Sequence, residues 1–374
     1  MNRRIPALEG LRGLAAAIVV VRHTTNAIAL PDGARRALLE GPWAPLLDAQ
    51  AAVALFFVLS GFVLAGSLER GLTRSDTLQF WVKRIFRIHP PYVAALILTW
   101  LVSFHYVVPE ASAPFTDWLR SRASVHLAPG ALAAALFYPG SADQQLDVGW
   151  TLGIEMTWSL LLPLVFWLAR ATHWSVALGL AAAPLGISGT PLFGLYAAHF
   201  ALGVALFLER ERVAGWLARL PQIASTALWL AALASYSAPL LLGWHVPRAD
   251  ILMPSVGDPA SIAVRLPGTA LLIALALALP WWRAALESRP LLFLGRISYS
   301  LYLLHMGVLL LATRVLAPAT TSSGLALIAF VLLVSIALSV LFHRVAERSS
   351  IAAGNRACVM LAARLHSVAL RSRD

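Results

Sequence analysis

Charged side chains are scarce in this sequence. Asp, Glu, Lys and Arg make up only 13% of its 374 residues, whereas hydrophobic residues make up 59% and the mean hydropathy is +0.75. A soluble domain carries about 25% charged residues, so this chain lacks the charge needed to cover a surface that faces water. The composition excludes a soluble enzyme and indicates a protein of the lipid bilayer.

Cysteine is almost absent, because Cys358 is the single one. A lone cysteine excludes an intramolecular disulfide and any metal site built from several cysteines. The sequence also has no His-Glu-x-x-His motif or similar metal-ligand spacing, so no metal is expected. It contains neither an internal repeat nor a low-complexity segment.

Long apolar runs are abundant, and about 20 apolar residues suffice for one helix to cross the hydrocarbon core. The runs predict an all-α transmembrane bundle of about ten spanning helices. The first run contains Arg12, Arg22 and His23, which argues against a signal peptide, so we interpret it as a spanning helix. The predicted spans are 11–30, 50–67, 89–108, 148–169, 174–189, 191–208, 223–242, 260–280, 297–316 and 324–345.

Two regions depart from regular spans. The fifth and sixth spans are short and rich in Gly and Pro, which is typical of broken or tightly hairpinned helices. The external loop, about 109–147, is expected to form a lid or half-helix on the outer face.

The net charge of +11 raises the question of nucleic-acid binding, but membrane topology explains it. With the N-terminus placed in the cytoplasm, most of the 29 Lys and Arg residues fall in cytoplasmic segments, as the positive-inside rule requires. We therefore expect both termini in the cytoplasm, the lipid bilayer as a partner, and no nucleic acid. Residues 1–345 are predicted to form the transmembrane domain, and 346–374 a basic cytoplasmic tail.

Ionisable residues inside the predicted spans are costly to bury and are therefore functional candidates. Arg12 and His23 stand eleven positions apart, which at about 100° per residue returns them to nearly the same face of the first helix, about 16 Å apart along its axis. Arg12 alternatively extends to the inner headgroups, and His23 alternatively makes a structural hydrogen bond within the bundle. The depth of His23 favours a catalytic role.

A pair of arginines precedes the third span. Arg84 and Arg87 lie on one side of a helical turn in a predicted cytoplasmic loop over 81–90. Paired guanidinium groups suit phosphate oxygens, although a basic loop also satisfies the positive-inside rule.

Glu155 lies about two turns below the outer end of the fourth span, at about the depth of His23. We predict that the two meet and that the carboxylate orients the imidazole, as an acid does in a catalytic triad. A structural ion pair between Glu155 and Arg22 is the alternative. In the ninth span, Ser298, Tyr302 and His305 share a face, and His305 is expected to line the same pocket as His23.

These segments together resemble the acyltransferase-3 family of membrane-bound bacterial carbohydrate O-acyltransferases. The similar elements, in chain order, are Ala7–Gly13 followed by His23, then Phe56–Phe62, Arg84–Arg87, Trp150–Glu155 and Ile297–His305. The chain departs from the family pattern at Glu9, where Asp is common, and at Thr151-Leu152-Gly153, which replaces Ser-Leu-Ser.

The resemblance implies a site that takes an acyl group, acetyl in the first instance, from cytoplasmic acyl-CoA to a hydroxyl of a cell-surface or lipid-linked carbohydrate. His23 would be the general base or would itself accept the acyl group, with Glu155 and Arg12 as further catalytic residues. Oxyanion stabilisation would come from the pocket, and phosphate binding from the cytoplasmic mouth. The oxyanion candidates are Ser60, Tyr302 and His305, and the phosphate-binding candidates are Arg84, Arg87 and Arg12.

Other functions share some of these features. A transporter or flippase for a lipid-linked glycan also uses intramembrane Arg, His and Glu, but no repeated half with matching broken helices supports it. A membrane sensor would carry the same charges for structural reasons, and an O-acyltransferase of a macrolide or other small molecule would share every motif. The resemblance places the protein in a bacterial inner membrane, and its Gly-rich helix faces suit a homodimer as well as close packing within one chain.

Overall fold

The computed structural model describes residues 5–39, 41–69, 71–105, 114–124, 128–138, 148–242, 258–316 and 321–371. Within these ranges the chain forms helices and no strand, apart from an isolated bridge between Ile28 and Phe115. The predicted all-α class is therefore confirmed for the described residues.

The described residues form eighteen α-helices in chain order. Helices α1 to α7 are Pro6–Ala27, Asp32–Leu39, Ala49–Leu68, Arg74–Ser103, Asp117–Ala123, Pro129–Phe137 and Gly149–Ala171. Helices α8 to α18 are Trp174–Ala182, Leu192–Leu195, Ala197–Leu208, Arg210–Leu217, Gln222–Tyr236, Ala238–Leu241, Pro259–Ala278, Pro280–Leu286, Arg289–Val315, Thr321–Phe342 and Arg348–Arg371. Two 3₁₀ turns lie at Ala44–Leu46 and Ala183–Gly186, and a π-helical turn lies at His343–Glu347.

The described part contains six helices that are long and apolar enough to cross a membrane. They are α3, α4, α7, α14, most of α16, and a continuous helix from Ser323 to Arg364 that includes α17. The count rises to seven if the helices flanking the 75° bend between Leu208 and Arg210 form one span. The chain is therefore a multi-pass membrane protein.

The other predicted spans are shorter or more polar. Helix α1 has 22 residues but carries Glu9, Arg12 and Arg22, and α12 has only 15 residues. Beyond α8, the chain breaks at a 3₁₀ turn and at Gly189, whose φ of 76° favours glycine. The count of ten spans and the cytoplasmic placement of both termini stay predictions.

Helix α4 corrects the predicted loop over 81–90. A capping box starts the helix, because Asp76 N donates to Thr73 Oγ1 and Thr73 N donates to Asp76 Oδ2. The helix then runs for 30 residues, about 45 Å, and includes Arg84, Arg87 and two prolines. The loop prediction was wrong because both arginines have carboxylate partners within the bundle, one of them fully buried, which lets a charged segment continue as helix.

Glycines set the closest helix contacts. A Cβ atom on Gly13 would collide with the backbone of α16 at Leu291 and Gly295, and one on Gly295 would collide with the backbone of α1. Gly61 of α3 and Gly203 of α10 lie equally close to each other's helices. These glycine faces are used within one chain, and the homodimer stays a prediction.

Asp48 links helices α3 and α14 at one end of the bundle. Its Oδ1 caps α3 by accepting from Ala51 N at 2.9 Å. Its Oδ2 lies 3.2 Å from Arg265 Nη2 of α14, and both side chains are 5% exposed. The pair joins the starts of two spanning helices and leaves neither charge alone in the apolar interior.

Helices α17 and α18 form one continuous helix. Helix α17 passes through the π-helical turn into α18, so the predicted domain boundary after residue 345 falls inside that turn. Helix α18 packs on the first half of α4, where Ser350 Oγ donates to the carbonyl of Phe86 and Gly354 lies against the Phe86 side chain. The predicted tail is therefore helical as far as residue 371, and its first part packs on the bundle. Its cytoplasmic location stays a prediction.

Candidate active site

A cavity of about 100 Å³ lies where α1, α3, α4, α7 and α16 meet. Three arginines reach it, Arg12 from α1 and Arg84 and Arg87 from α4. Ser60, Glu155 and Tyr302 also line it. Six of the eight residues proposed from the sequence thus share one cavity, whereas His23 and His305 lie outside its lining.

Arg84 is held by α7. Its Nη2 donates to Glu155 Oε1 at 3.0 Å and to Ser159 Oγ at 3.1 Å. The side chains of Arg84 and Glu155 are 15% and 26% exposed, so this pair keeps access to the cavity. Glu155 therefore neutralises one cation of the cavity wall.

Arg87 has a partner that the sequence prediction missed. Its Nη1 forms an ion pair with Glu347 Oε1 in the π-helical turn, and its guanidinium lies 5.8 Å from the centre of the Tyr299 ring. Glu347 is fully buried and also accepts from Ser300 Oγ at 2.7 Å and pairs with His343 Nδ1 at 2.9 Å. π-helical turns are frequent at functional sites, but hydropathy alone assigned this residue to the tail.

Arg12 differs from the other two arginines. Within the described part of the chain, its guanidinium makes no hydrogen bond or ion pair. The Ser60 hydroxyl, also in the cavity wall, likewise has no partner among the described residues. The cavity therefore presents an uncommitted cation and an uncommitted hydroxyl, and these groups suit an anionic ligand.

Bulky apolar side chains narrow the rest of the cavity. They come from α3 and α7 and are Val53, Phe56, Phe57, Leu59, Val63 and Leu152. The charged groups thus lie beside an apolar part of the cavity wall, and this combination suits a thin, partly hydrophobic ligand.

His23 and His305 form a buried pair beside this cavity. His23 Nδ1 lies 2.8 Å from His305 Nε2, the rings are nearly parallel at 8°, and the side chains are 7% and 1% exposed. His305 Nδ1 lies 2.9 Å from the carbonyl oxygen of Tyr302 in its own helix. The second histidine is therefore anchored by the backbone, and the first is anchored by the second.

The predicted contact between His23 and Glu155 is wrong. Glu155 pairs with Arg84, and His23 pairs with His305. The prediction rested on equal depth, which sets the level of a side chain in the membrane but not the direction in which its helix presents it.

Tyr302 contacts both the cavity and the histidine pair. It lines the cavity, and its ring centre lies 5.9 Å from that of His305. Its hydroxyl donates to Thr151 Oγ1 at 2.7 Å, since Thr151 itself donates to the carbonyl of Val148. Thr151 thus supplies a hydroxyl in a segment where the family pattern has Ser, and this hydroxyl positions the tyrosine.

A short helix covers His23 at the C-terminal end of α1. The Trp118 ring of α5 lies 5.8 Å from the His23 ring. Thr116, the N-cap of α5, ties this helix to the end of α1 because its Oγ1 donates to the carbonyl of Asn26 at 2.8 Å. The covered pair is shielded from water, which strengthens the hydrogen bond between the rings.

The chemistry of the site is that of anion binding next to an imidazole base. Among the described residues, no group of three or more His, Cys, Asp or Glu side chains could hold a metal ion. The donor set is instead three guanidinium groups, hydroxyls and two imidazoles.

Comparison with known proteins identifies a family and several similar sequences. A family model described as an acyltransferase domain matches residues 5–344. The sequence is 27% identical to Acyltransferase MdmB of Streptomyces mycarofaciens over 92% of this chain and 91% of that protein. It is 32% identical to Nodulation protein 10 of Rhizobium leguminosarum bv. viciae, over 47% of this chain and 48% of that protein. It is 33% identical to Protein 2 in picA locus of Rhizobium radiobacter, over 48% of this chain and 90% of that protein. No solved structure matches the chain.

Proposed function

Because this chain belongs to the acyltransferase-3 family and is an acyltransferase of groups other than amino-acyl groups, we propose that it moves an acetyl group from cytoplasmic acetyl-CoA to a carbohydrate hydroxyl. The acceptor is a cell-surface or lipid-linked carbohydrate, and the reaction takes place at the bacterial inner membrane. The observation that carries the proposal is the arginine-lined cavity next to a buried pair of histidines.

The proposed donor fits the cavity in charge and shape. Acyl-CoA is polyanionic at one end and carries its thioester on a long, thin arm, so its phosphates require cations and its arm requires a narrow apolar path. Arg12 offers an uncommitted guanidinium, and Arg84 and Arg87 lie beside it on α4. Phe56 and Phe57 narrow the cavity, which favours a short acyl group.

The proposed reaction uses His23 as a general base. The imidazole takes the proton of the acceptor hydroxyl while that oxygen bonds to the carbonyl carbon of the thioester. The carbon–sulfur bond then breaks, and the departing thiolate recovers the proton from the imidazole. The Ser60 hydroxyl has no partner among the described residues, and it is the proposed donor to the developing oxyanion.

The first test of the proposal is transfer of labelled acetyl from acetyl-CoA in inside-out membrane vesicles. We expect label in a glycan or glycolipid fraction, at a rate that depends on acetyl-CoA added to the cytoplasmic side. Label found only on small lipophilic glycosides would change the acceptor class. No transfer from acetyl-, succinyl- or longer acyl-CoAs to any acceptor tried would contradict the proposal and favour a glycan flippase.

Replacing Arg12 by alanine is expected to raise the KM for acetyl-CoA by about 10- to 100-fold. A hydrogen bond to a charged group contributes about 1.5–3 kcal/mol, and each 1.4 kcal/mol is a factor of about ten in affinity. The measurement is the initial rate against acetyl-CoA concentration, with the protein in nanodiscs.

The matched control is Arg296→Ala, which removes an exposed cation near the start of α16. It should leave the KM for acetyl-CoA within about twofold of the wild-type value. The KM of Arg12→Lys should fall between those of wild type and Arg12→Ala, because lysine keeps the charge but lacks the planar guanidinium group that binds two oxygens at once. An unchanged KM in Arg12→Ala would remove this residue from the donor site.

A further inference from the structure

The relative position of α1 and α16 that brings two glycines together also brings the two histidines together. Gly13 faces Gly295, and His23 faces His305; both pairs are offset by 282 positions. The two helices therefore run parallel, and each rises about 15 Å from its glycine to its histidine. Backbone contact at the glycines leaves little freedom in where the two imidazoles meet.

The hydrogen bonds of His305 fix which nitrogen carries the proton. A carbonyl oxygen only accepts, so His305 Nδ1, at 2.9 Å from the Tyr302 carbonyl, must donate. No carboxylate contacts either ring among the described residues, and an unpaired buried charge is costly, so both rings are neutral. His305 Nε2 then has no proton and must accept from His23 Nδ1.

We propose that His305 is the positioning residue of the reaction, holding His23 with Nδ1 protonated and Nε2 free to take the acceptor proton. This inference rests on the proposed function for its chemistry, and it gives His305 a role different from oxyanion stabilisation. It also replaces Glu155 as the group that orients His23. His305 supplies the orientation that a buried carboxylate gives in a serine protease triad.

The proposed assignment keeps the proton balance of the transfer. His23 Nε2 gains the hydroxyl proton as the ester bond forms and loses it to the thiolate as the carbon–sulfur bond breaks. The Nδ1 proton stays between the two rings throughout, and the positive charge that develops on His23 is shared with the His305 ring and the Tyr302 carbonyl behind it.

A matched pair of substitutions separates positioning from packing. Gln in place of His305 puts an amide oxygen near the position of Nε2, where it accepts from His23, whereas Met has a similar length and volume and no such acceptor. We expect His305→Met to lower kcat by about 100-fold with the KM for acetyl-CoA unchanged, and His305→Gln to keep at least a tenth of the wild-type kcat. Equal kcat in the two variants, or wild-type kcat in His305→Met, would overturn the proposal.

The protonation of His23 is measured directly on the wild-type protein. Nitrogen-15 NMR of histidine-labelled protein in nanodiscs, with His23→Gln used for assignment, should show a protonated Nδ1 and an unprotonated Nε2 at His23. A proton on Nε2 instead would refute the role of His305 whatever the activity assay gives. The spectrum needs no substrate, so failure of the positioning proposal is distinguished from failure of the proposed acyl transfer.

Discussion

Replacing His23 by alanine is expected to lower the rate of acyl transfer by about 10²–10⁴-fold, the usual contribution of a general base. The KM for acetyl-CoA should change little, because His23 is not among the residues that line the arginine cavity. The measurement compares kcat and KM at equal protein abundance in nanodiscs. A loss confined to kcat is the expected result.

The effect on folding is expected to be small, because alanine keeps the α1 helix and the glycine contacts that position it. His173→Ala is the matched control, since His173 is an exposed histidine at the N-cap of α8, and it should retain wild-type kcat. If His23→Ala kept more than about a tenth of the wild-type kcat, the base would have to be another group.

A mass-spectrometric search for acylated His23 decides between the two chemical routes. General-base catalysis leaves no acyl group on the protein, whereas transfer through the imidazole accumulates an acyl-histidine when the acceptor is withheld. The proposed route predicts an unmodified His23 peptide after incubation with acetyl-CoA alone.

Sequence patterns located the individual polar residues because charge inside an apolar run is conspicuous. Arg12 and Glu155 were selected in this way, Arg84 and Arg87 were selected as a pair of guanidinium groups, and all four line the cavity. Their partners depend on helix rotation and register, which periodicity within a single helix does not specify. The His23–Glu155 contact failed for this reason.

One signal in the sequence pointed to the correct partner of His23. The ten-residue separation of Gly13 and His23 recurs between Gly295 and His305. Two parallel helices that touch at their glycines must then bring their histidines to one level. Equal spacing of a glycine and a polar residue on two spans is thus a stronger indicator of contact than depth alone.

Glu347 is a residue whose partner the sequence did not indicate. The apolar run of the last predicted span ends at residue 345, so composition assigned the following residues to a basic cytoplasmic tail. The structure instead continues the helix and buries this carboxylate against Arg87. A polar residue just beyond an apolar run is ambiguous until its partner, here 260 positions earlier, is known.

Two of the three arginines in the cavity wall are neutralised by glutamates, and the remaining positive charge suits an anion. Glu155 and Glu347 each neutralise one arginine of α4, while Arg12 makes no ion pair with any described residue. Without the two glutamates, three guanidinium groups would repel one another in a medium of low dielectric constant. The glutamates therefore hold the arginines in place, and Arg12 leaves a net positive charge, which suits the phosphates of the proposed donor.

Replacing Arg87 by alanine is expected to lower the free energy of unfolding by about 3 kcal/mol, because it leaves the fully buried Glu347 without its cation. Arg84→Ala should lower it by only about 1 kcal/mol, since Glu155 is 26% exposed and reaches water. The measurement is thermal unfolding in nanodiscs, followed by tryptophan fluorescence and supported by the yield of monodisperse protein.

The double substitution Arg87→Ala with Glu347→Gln should recover most of the stability lost in Arg87→Ala, because the amide removes the unpaired charge and keeps a partner for Ser300. The KM for acetyl-CoA should nevertheless stay raised in the double variant, since no cation has returned to the cavity. Recovered stability with weak donor binding would show that Arg87 has two separate functions, namely pairing with Glu347 and binding the donor. A double variant no more stable than Arg87→Ala would show that the buried ion pair is not what stabilises the junction of α4 and the π-helical turn.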